Sequence, residues 1–385
     1  MIAAPPYDAT TVAALEEQTS TLLSEFRAYG AERVEHAIVQ PADAFLDRMG
    51  EELRRRTYVF AGPDGSELCL RPDLTIPTAQ TYLARNPNCD QALKLCYAGP
   101  VFRHDPAAPD QPGQSFQAGV ESFNASDAAT ADVEALLLTH SAVTKAGLPH
   151  TRVTIGDVGL FQELLDAMSL PAHWAAKIRR RAWQPDRLRE LLKRLSGPAE
   201  PGSEFLSHIG KLPPEQARDV LHDSLQLSGI KPIGTRTLDE ITERFLERAA
   251  DAAAPRLSPE SAELIEAFLA IKRPASRAIR AIQNLVRPSS ISIDPALFAL
   301  KRRLDKLLHA GCDTSDIEFE TQFGRNMEYY SGFVFELRSP EATFPLAGGG
   351  RYDNLLSTLG SLKKTPAIGL AVFAERLAAA KAATS

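Results

Sequence analysis

Cysteine is scarce: Cys69, Cys89, Cys96 and Cys312 are spread through 385 residues with no Cys-x-x-Cys pair. That scarcity excludes a disulfide scaffold and a redox dithiol, and it predicts reduced, buried thiols. The eight histidines show neither His-x3-His nor His-Glu-x-x-His spacing, so no metal site is expected. Long apolar runs are missing too. Stretches such as Ala135-Leu-Leu-Leu138 fall far short of the ~18–20 residues that cross a bilayer. No basic segment followed by an apolar one opens the chain, which predicts no export signal and a cytoplasmic protein. An excess of basic charge is also absent: 43 Lys and Arg stand against 49 Asp and Glu, a net charge of −6. Extensive nucleic-acid binding usually leaves a basic stripe, so this balance argues against it.

What is present is ordinary globular texture, 44% apolar and 24% charged, long enough for two or three domains. Asp8 as N-cap, the stripe Val12, Leu15, Leu22 and Phe26, and Gly30 as stop predict a helix over 9–29. Strands are predicted at 33–39, 56–60 and 68–71, the last two joined by the turn residues Gly62-Pro-Asp-Gly65. Two more run at 93–103 and 117–123 around a proline-rich loop, and 128–146 is helical. From about 161 to 310 apolar residues recur at helical spacing among charges, as in Asp186-Arg-Leu-Arg-Glu-Leu-Leu-Lys-Arg194. Strands resume at 317–321, 329–336 and 343–346, and a last helix is expected from Ala371. A sheet begun early and resumed late predicts an α+β fold: a mixed, mostly antiparallel sheet flanked by helices, built from 1–160 and 311–385 and interrupted by a mostly helical insertion over 161–310.

Charged residues inside otherwise apolar strands are costly unless paired or facing a polar ligand. Four stretches carry them: Leu70-Arg-Pro-Asp-Leu-Thr75, Gly99-Pro-Val-Phe-Arg103 with Gln117-Ala-Gly-Val-Glu121, Arg325-Asn-Met-Glu-Tyr-Tyr330, and Gly348-Gly-Gly-Arg-Tyr-Asp353. Internal salt bridges would account for any one. Together they favour a site for a small zwitterion, with carboxylates for an ammonium and Arg for a carboxylate. The glycine run is not a phosphate loop, because Arg351-Tyr352-Asp353 follows it instead of Lys-Ser/Thr.

Taken in order, these residues resemble the catalytic core of class II histidyl-tRNA synthetases. Leu70–Thr75 is similar to that family's histidine loop, Gly99–Arg103 with Gln117–Glu121 to its motif 2, Arg325–Tyr330 and Gly349–Asp353 to its two histidine motifs, and Gly369-Leu-Ala-Val-Phe-Ala-Glu-Arg376 to motif 3. The resemblance implies a class II synthetase-like fold and a histidine pocket. Asp73 and Gln117 would face the α-ammonium with Thr75 nearby. Arg103 and Arg325 would face the carboxylate, and Glu121 and Tyr330 the imidazole, with Tyr329 beside them. Arg351 and Asp353 are expected to form a structural salt bridge.

The departures from that family shape the functional expectation. The motif 2 loop His104–Ser115 carries no Arg or Lys, where synthetases hold the roughly four negative charges of ATP. Phe373 replaces a motif 3 glycine, and the chain ends nine residues after Arg376, so no C-terminal anticodon-binding domain is expected. A synthetase core altered this way resembles the ATP phosphoribosyltransferase regulatory subunit family. That resemblance implies a non-catalytic chain without cofactor. It would activate a short-form catalytic subunit and mediate feedback inhibition by L-histidine in the first step of histidine biosynthesis. It further implies a homodimer within a hetero-oligomer, with no tRNA or membrane partner. The competing readings are a truncated synthetase-like enzyme that forms an aminoacyl-adenylate, and a stand-alone histidine sensor.

Overall fold

Twelve strands order the chain in a computed structural model that describes residues 7–46, 55–104, 113–182, 184–197, 203–227, 238–323, 329–340 and 342–384. They are β1 (Glu32–Arg33), β2 (Val39–Pro41), β3 (Val59–Ala61), β4 (Glu67–Leu70), β5 (Leu93–Phe102), β6 (Gln114–Phe123), β7 (Arg152–Asp157), β8 (Lys272–Pro274), β9 (Glu318–Glu320), β10 (Phe333–Arg338), β11 (Ala347–Arg351) and β12 (Ala367–Phe373). Nine of them form one sheet in the order β1-β5-β6-β12-β11-β10-β7-β9-β8, and β2-β4-β3 form a second. Among the described residues only β1–β5 and β7–β9 pair in parallel; the other ladders are antiparallel. This is the class II synthetase-like α+β architecture expected from the sequence.

The chain divides into two units, Met1–Leu164 with Phe268–Ser385, and Leu165–Ala267. The first holds both sheets. Its opening helix, Ala9–Ala28, starts where the Asp8 carboxylate accepts the Thr11 amide at 2.7 Å, and it buries Gln18, Leu22, Leu23 and Phe26. The helix Ala128–Lys145 is capped the same way by Asp127, which accepts the Ala129 amide at 3.0 Å. Fully buried Phe26, Phe123, Phe319, Phe333 and Phe335 anchor this unit's core, each contributing about 1.5–3 kcal/mol. The second unit is helical among the described residues. Its small core joins Ile209, Ala217, Leu221 and Ala249.

Several local expectations change. The strand expected at 33–39 is split: β1 joins the large sheet and β2 the small one, with the Ile38 carbonyl accepting the Arg71 amide between them. The glycine run forms β11, between β10 and β12 in the large sheet. A Cβ on Gly349 would stand 2.2 Å from the Gly369 carbonyl oxygen, so only glycine fits that crossing. Ala371 belongs to β12, and the last helix begins at Ala374. Tyr329 and Tyr330 lie in a turn before β10 rather than in a strand. Residues 268–310, read from sequence as insertion, lie in the first unit, because β8 closes the edge of its sheet against β9 and the helices Ala275–Val286 and Asp294–His309 follow.

The Arg351–Asp353 salt bridge forms at 2.9 Å, within a larger buried network. Arg351 also donates to Asp132 Oδ1 at 2.6 Å, and Arg303 spans Asp132 Oδ2 at 2.7 Å and Asp157 Oδ2 at 3.0 Å. Two guanidiniums thus share three carboxylates, with both Asp132 oxygens occupied, which is the condition for burying such charges. Cys69, Cys89 and Cys96 are free and buried, and Cys312 is free and half-buried. Among the described residues no group of three or more His, Cys, Asp and Glu could hold a metal ion, and no helix is long and apolar enough to cross a membrane.

Candidate functional site

The β5–β6 hairpin supplies the floor of a cleft. Alternation along β6 puts Gln117, Gly119 and Glu121 on one face. Glu121 stands opposite Gly369 of β12, where a Cβ would lie 1.7 Å from Glu121 Oε2. Glycine at 369 is therefore what makes room for the carboxylate. At Gly119 a Cβ would lie 2.5 Å from the Tyr97 hydroxyl, so this second glycine lets Tyr97 cross from β5 to Glu121. Tyr97 donates to Glu121 Oε1 at 2.9 Å, and Tyr352, just beyond β11, donates to Oε2.

The opposite wall comes from the start of the helix Thr75–Arg85. Asp73 precedes it and ties it down, with Oδ1 accepting the Ile76 amide at 3.1 Å. Its other oxygen, Oδ2, is buried and has no hydrogen-bond partner among the described residues. Arg103 follows β5 and is fixed by its Nε donating to the Pro72 carbonyl at 2.6 Å, which sets its positive charge near Asp73. The aromatic rim is Tyr329, 4.9 Å from Tyr330 and edge-on to Tyr352 at 5.6 Å between ring centres.

Asp73, Thr75, Arg103, Gln117, Glu121, Tyr329 and Tyr330 thus line one cleft, together with Tyr352 and the backbone at Gly348, Gly349 and Gly369. Arg325, the eighth residue expected there, lies outside the described residues. So does most of the motif 2 loop, residues 105–112. Sequence reasoning missed Tyr97 and Tyr352. Tyr352 sat in a quoted motif between two charges, whereas Tyr97 is found only once the hairpin register pairs it with Gly119.

Burial raises the Glu121 carboxyl from 4.5 to about 7, against the lowering effect of hydrogen bonds from Tyr352, Thr75 and Tyr97. The nearby Asp73 charge pushes in the same direction as burial. Asp73 is likewise raised by burial, and Arg103 partly offsets it. The hydroxyls of Tyr97, Tyr329 and Tyr352 are all held well above their ordinary value, chiefly by burial, so they remain hydrogen-bond donors at neutral pH. The cleft therefore offers two buried carboxyls and a cation on one side of an aromatic wall. That donor set suits a small ligand carrying an ammonium, a carboxylate and a polar ring. The free space is only about 30 Å³, too small for a molecule the size of an amino acid unless the lining side chains part.

The place where motif 3 departs from the synthetase pattern is occupied by the protein itself. The Arg376 guanidinium lies 3.9 Å over the Phe373 ring and 5.2 Å from the Phe344 ring, and its Nη1 donates to the Pro345 carbonyl at 2.9 Å.

Comparison with known proteins places this geometry in a family. The histidyl-tRNA synthetase family model matches residues 6–243 and 233–377. Solved structures share the fold: a chain described as an ATP phosphoribosyltransferase regulatory subunit/histidyl-tRNA synthetase from Bacillus halodurans superimposes with a TM-score of 0.67 at 21% identity, covering 96% of this chain and 79% of that one. A histidine–tRNA ligase subunit from Alicyclobacillus acidocaldarius gives 0.63 at 22% identity, covering 100% and 98%. The ATP phosphoribosyltransferase regulatory subunit of Chelativorans sp. is 33% identical over 89% of this chain and 91% of its own length. That of Agrobacterium fabrum is 33% identical over 95% and 97%. With the synthetase fold on the page and a third of the residues shared along almost the whole of these relatives, the chain belongs to the ATP phosphoribosyltransferase regulatory subunit family.

Proposed function

We propose that this chain is the non-catalytic regulatory subunit of an ATP phosphoribosyltransferase, that it activates a short-form catalytic subunit, and that the cleft between Asp73 and Glu121 binds the L-histidine that inhibits the assembly. The observation that carries the ligand assignment is the buried Asp73 Oδ2, without a hydrogen-bond partner among the described residues, in the same cleft as a Glu121 carboxyl already organised by two tyrosines. A lone buried carboxylate oxygen costs free energy until an ammonium meets it. Asp73 and Gln117 take the α-ammonium, with Thr75 beside them. Arg103 and Arg325 take the carboxylate. Glu121 and Tyr330, with Tyr329 alongside, distinguish an imidazole from an apolar side chain through its two ring nitrogens.

Entry of histidine parts the Tyr329–Tyr330 turn from Tyr352 and so acts on β11, whose Arg351 is locked to Asp132 and Asp353. A histidine-dependent change there needs only ~1–3 kcal/mol of coupling to alter the partner's activity ~5–150-fold. The small sheet leaves Ile38, Val39, Val59 and Phe60 40–45% exposed, which suits pairing of two copies of this chain within a larger hetero-oligomer. The test measures phosphoribosyl-ATP formation by the catalytic subunit with and without this chain, before and after histidine. Activity should rise with the chain and fall with histidine, and Glu121→Ala should raise the ratio of inhibited to uninhibited activity toward one. Undiminished inhibition in that variant moves the histidine site elsewhere.

A further inference from the structure

One face of the molecule opposes its overall charge. Between Glu266 and Asp294 the sequence holds no acidic residue but five cations, Lys272, Arg273, Arg277, Arg280 and Arg287. They sit on β8, on the helix Ala275–Val286 and on the turn that ends it. The helix buries Ala275, Ala278, Ile282 and Val286 on one side. Arg277, Arg280, Asn284 and Arg287 recur at three- and four-residue intervals on the opposite side, all exposed, along about 15 Å of axis.

Their local pairing sets these arginines apart from most cations of this unit. Lys272 is engaged by Glu318 at 2.9 Å and by Glu320. Arg302 and Lys306 share Asp127, and Arg85 reaches Glu32 at 2.7 Å. Arg273, Arg277, Arg280 and Arg287 have no carboxylate within ion-pair distance among the described residues. The placement also works against the helix. Arg273 and Arg277 flank its N-terminal end, where the dipole already concentrates positive charge, and Arg277 and Arg280 repel at i,i+3. The amides of Ala275 and Ser276 are already taken by the Ile317 and Thr314 carbonyls, so an anion here is met by the side chains and not by the helix terminus.

We infer that this arginine face is a docking surface for an acidic face of a protein partner; on the reading proposed above, that partner is the catalytic subunit. Charge complementarity carries the choice. A second copy paired two-fold through this face would bring the same cations to the contact and be repelled. A nucleic acid is disfavoured, because no aromatic side chain interleaves the cations from 272 to 293 to stack a base, and the whole chain carries −6. Arginine, with its planar fork, suits carboxylates presented in fixed geometry, and Gln283 and Asn284 add neutral donors between the charges.

The experiment measures association of the full-length chain with the catalytic subunit by biolayer interferometry from 50 to 500 mM salt. Three chains are compared: unaltered, Arg277→Glu/Arg280→Glu, and the control Lys363→Glu/Lys364→Glu, which changes net charge equally on an exposed loop. The unaltered chain and the control should associate at the same rate at 50 mM salt and slow together as salt rises. The arginine variant should associate roughly 10-fold or more slowly at low salt and lose most of the salt dependence. Equal effects of the two variants, or none, overturn the assignment. Binding of a homopolymer RNA that is lost only in the arginine variant, with partner binding intact, also overturns it in favour of a nucleic-acid surface. Failure of the unaltered chain to form any complex overturns the regulatory reading, and this inference with it.

Discussion

Replacing Glu121 by Gln should stabilise the protein above neutral pH, although it weakens a hydrogen-bonded cluster. In the folded chain burial raises this carboxyl to about 7, and unfolding returns it to its ordinary 4.5. Between those pH values the native state holds a proton that the unfolded chain releases. Stability from this group is therefore complete below 4.5, falls as pH rises through the window, and is lost above about 7. A gap of roughly 2.5 pH units at 1.36 kcal/mol each corresponds to about 3 kcal/mol. Glutamine keeps the shape and one acceptor oxygen but does not titrate, so the difference between the two proteins isolates Glu121 from every other ionising group. Urea denaturation of both at intervals from pH 4.5 to 8 should show Glu121→Gln gaining about 3 kcal/mol on the unaltered chain across the series. At the acid end the variant should be less stable by about 1 kcal/mol, the worth of a weakened tyrosine–carboxyl bond. Because Glu121 is 1% exposed, the gain should survive added salt. A difference that stays constant with pH would refute the argument, since it would mean the carboxyl ionises as easily inside the cleft as in water.

Gly369→Ala places a methyl where Glu121 Oε2 now lies, so it should lower the thermal midpoint and weaken the histidine binding proposed above about tenfold or more by calorimetry; unchanged binding would show that Glu121 can move aside without consequence. Arg303→Met should cost about 3–5 kcal/mol in urea denaturation, because it leaves Asp157 and one oxygen of Asp132 buried without their cation; a loss under 1 kcal/mol would mean water or Arg351 takes over those oxygens.

Much of the frame was legible from local rules. The Asp8 cap and apolar stripe mark the first helix to within a residue of its observed end, and Gly62-Pro-Asp-Gly65 marks the β3–β4 turn. The order of charged strands pointed to the cleft before any distance was known, because a buried charge needs a partner wherever it folds. Three features were not legible. Gly348-Gly-Gly350 has the composition of a turn, yet it is a strand, and at Gly349 and Gly350 neighbouring atoms of β10, β12 and the turn before β10 leave no room for a Cβ. The helices Ala275–Val286 and Asp294–His309 have the same charged, amphipathic texture as the helical unit, and only the pairing of β8 with β9 assigns them to the sheet. Arg303 lies in a helix rich in charge, next to Arg302 that is exposed, yet it is 6% exposed and holds two aspartates.

The sequence alone determined which chemistry the chain carries. Residue type and spacing set the caps, the apolar faces, the carboxylates and arginines in strands, and the lack of cations in the loop at 104–115, and none of these depends on the path of the chain. Tertiary structure decided which of those groups meet. Register across β5, β6 and β12 brings Tyr97, Gly119 and Gly369 to Glu121, and the end of β11 brings Tyr352 from 231 residues away. A shifted ionisation, or an oxygen without a hydrogen-bond partner among the described residues such as Asp73 Oδ2, is a property of those meetings, because desolvation and hydrogen bonding act only between atoms that folding has placed together.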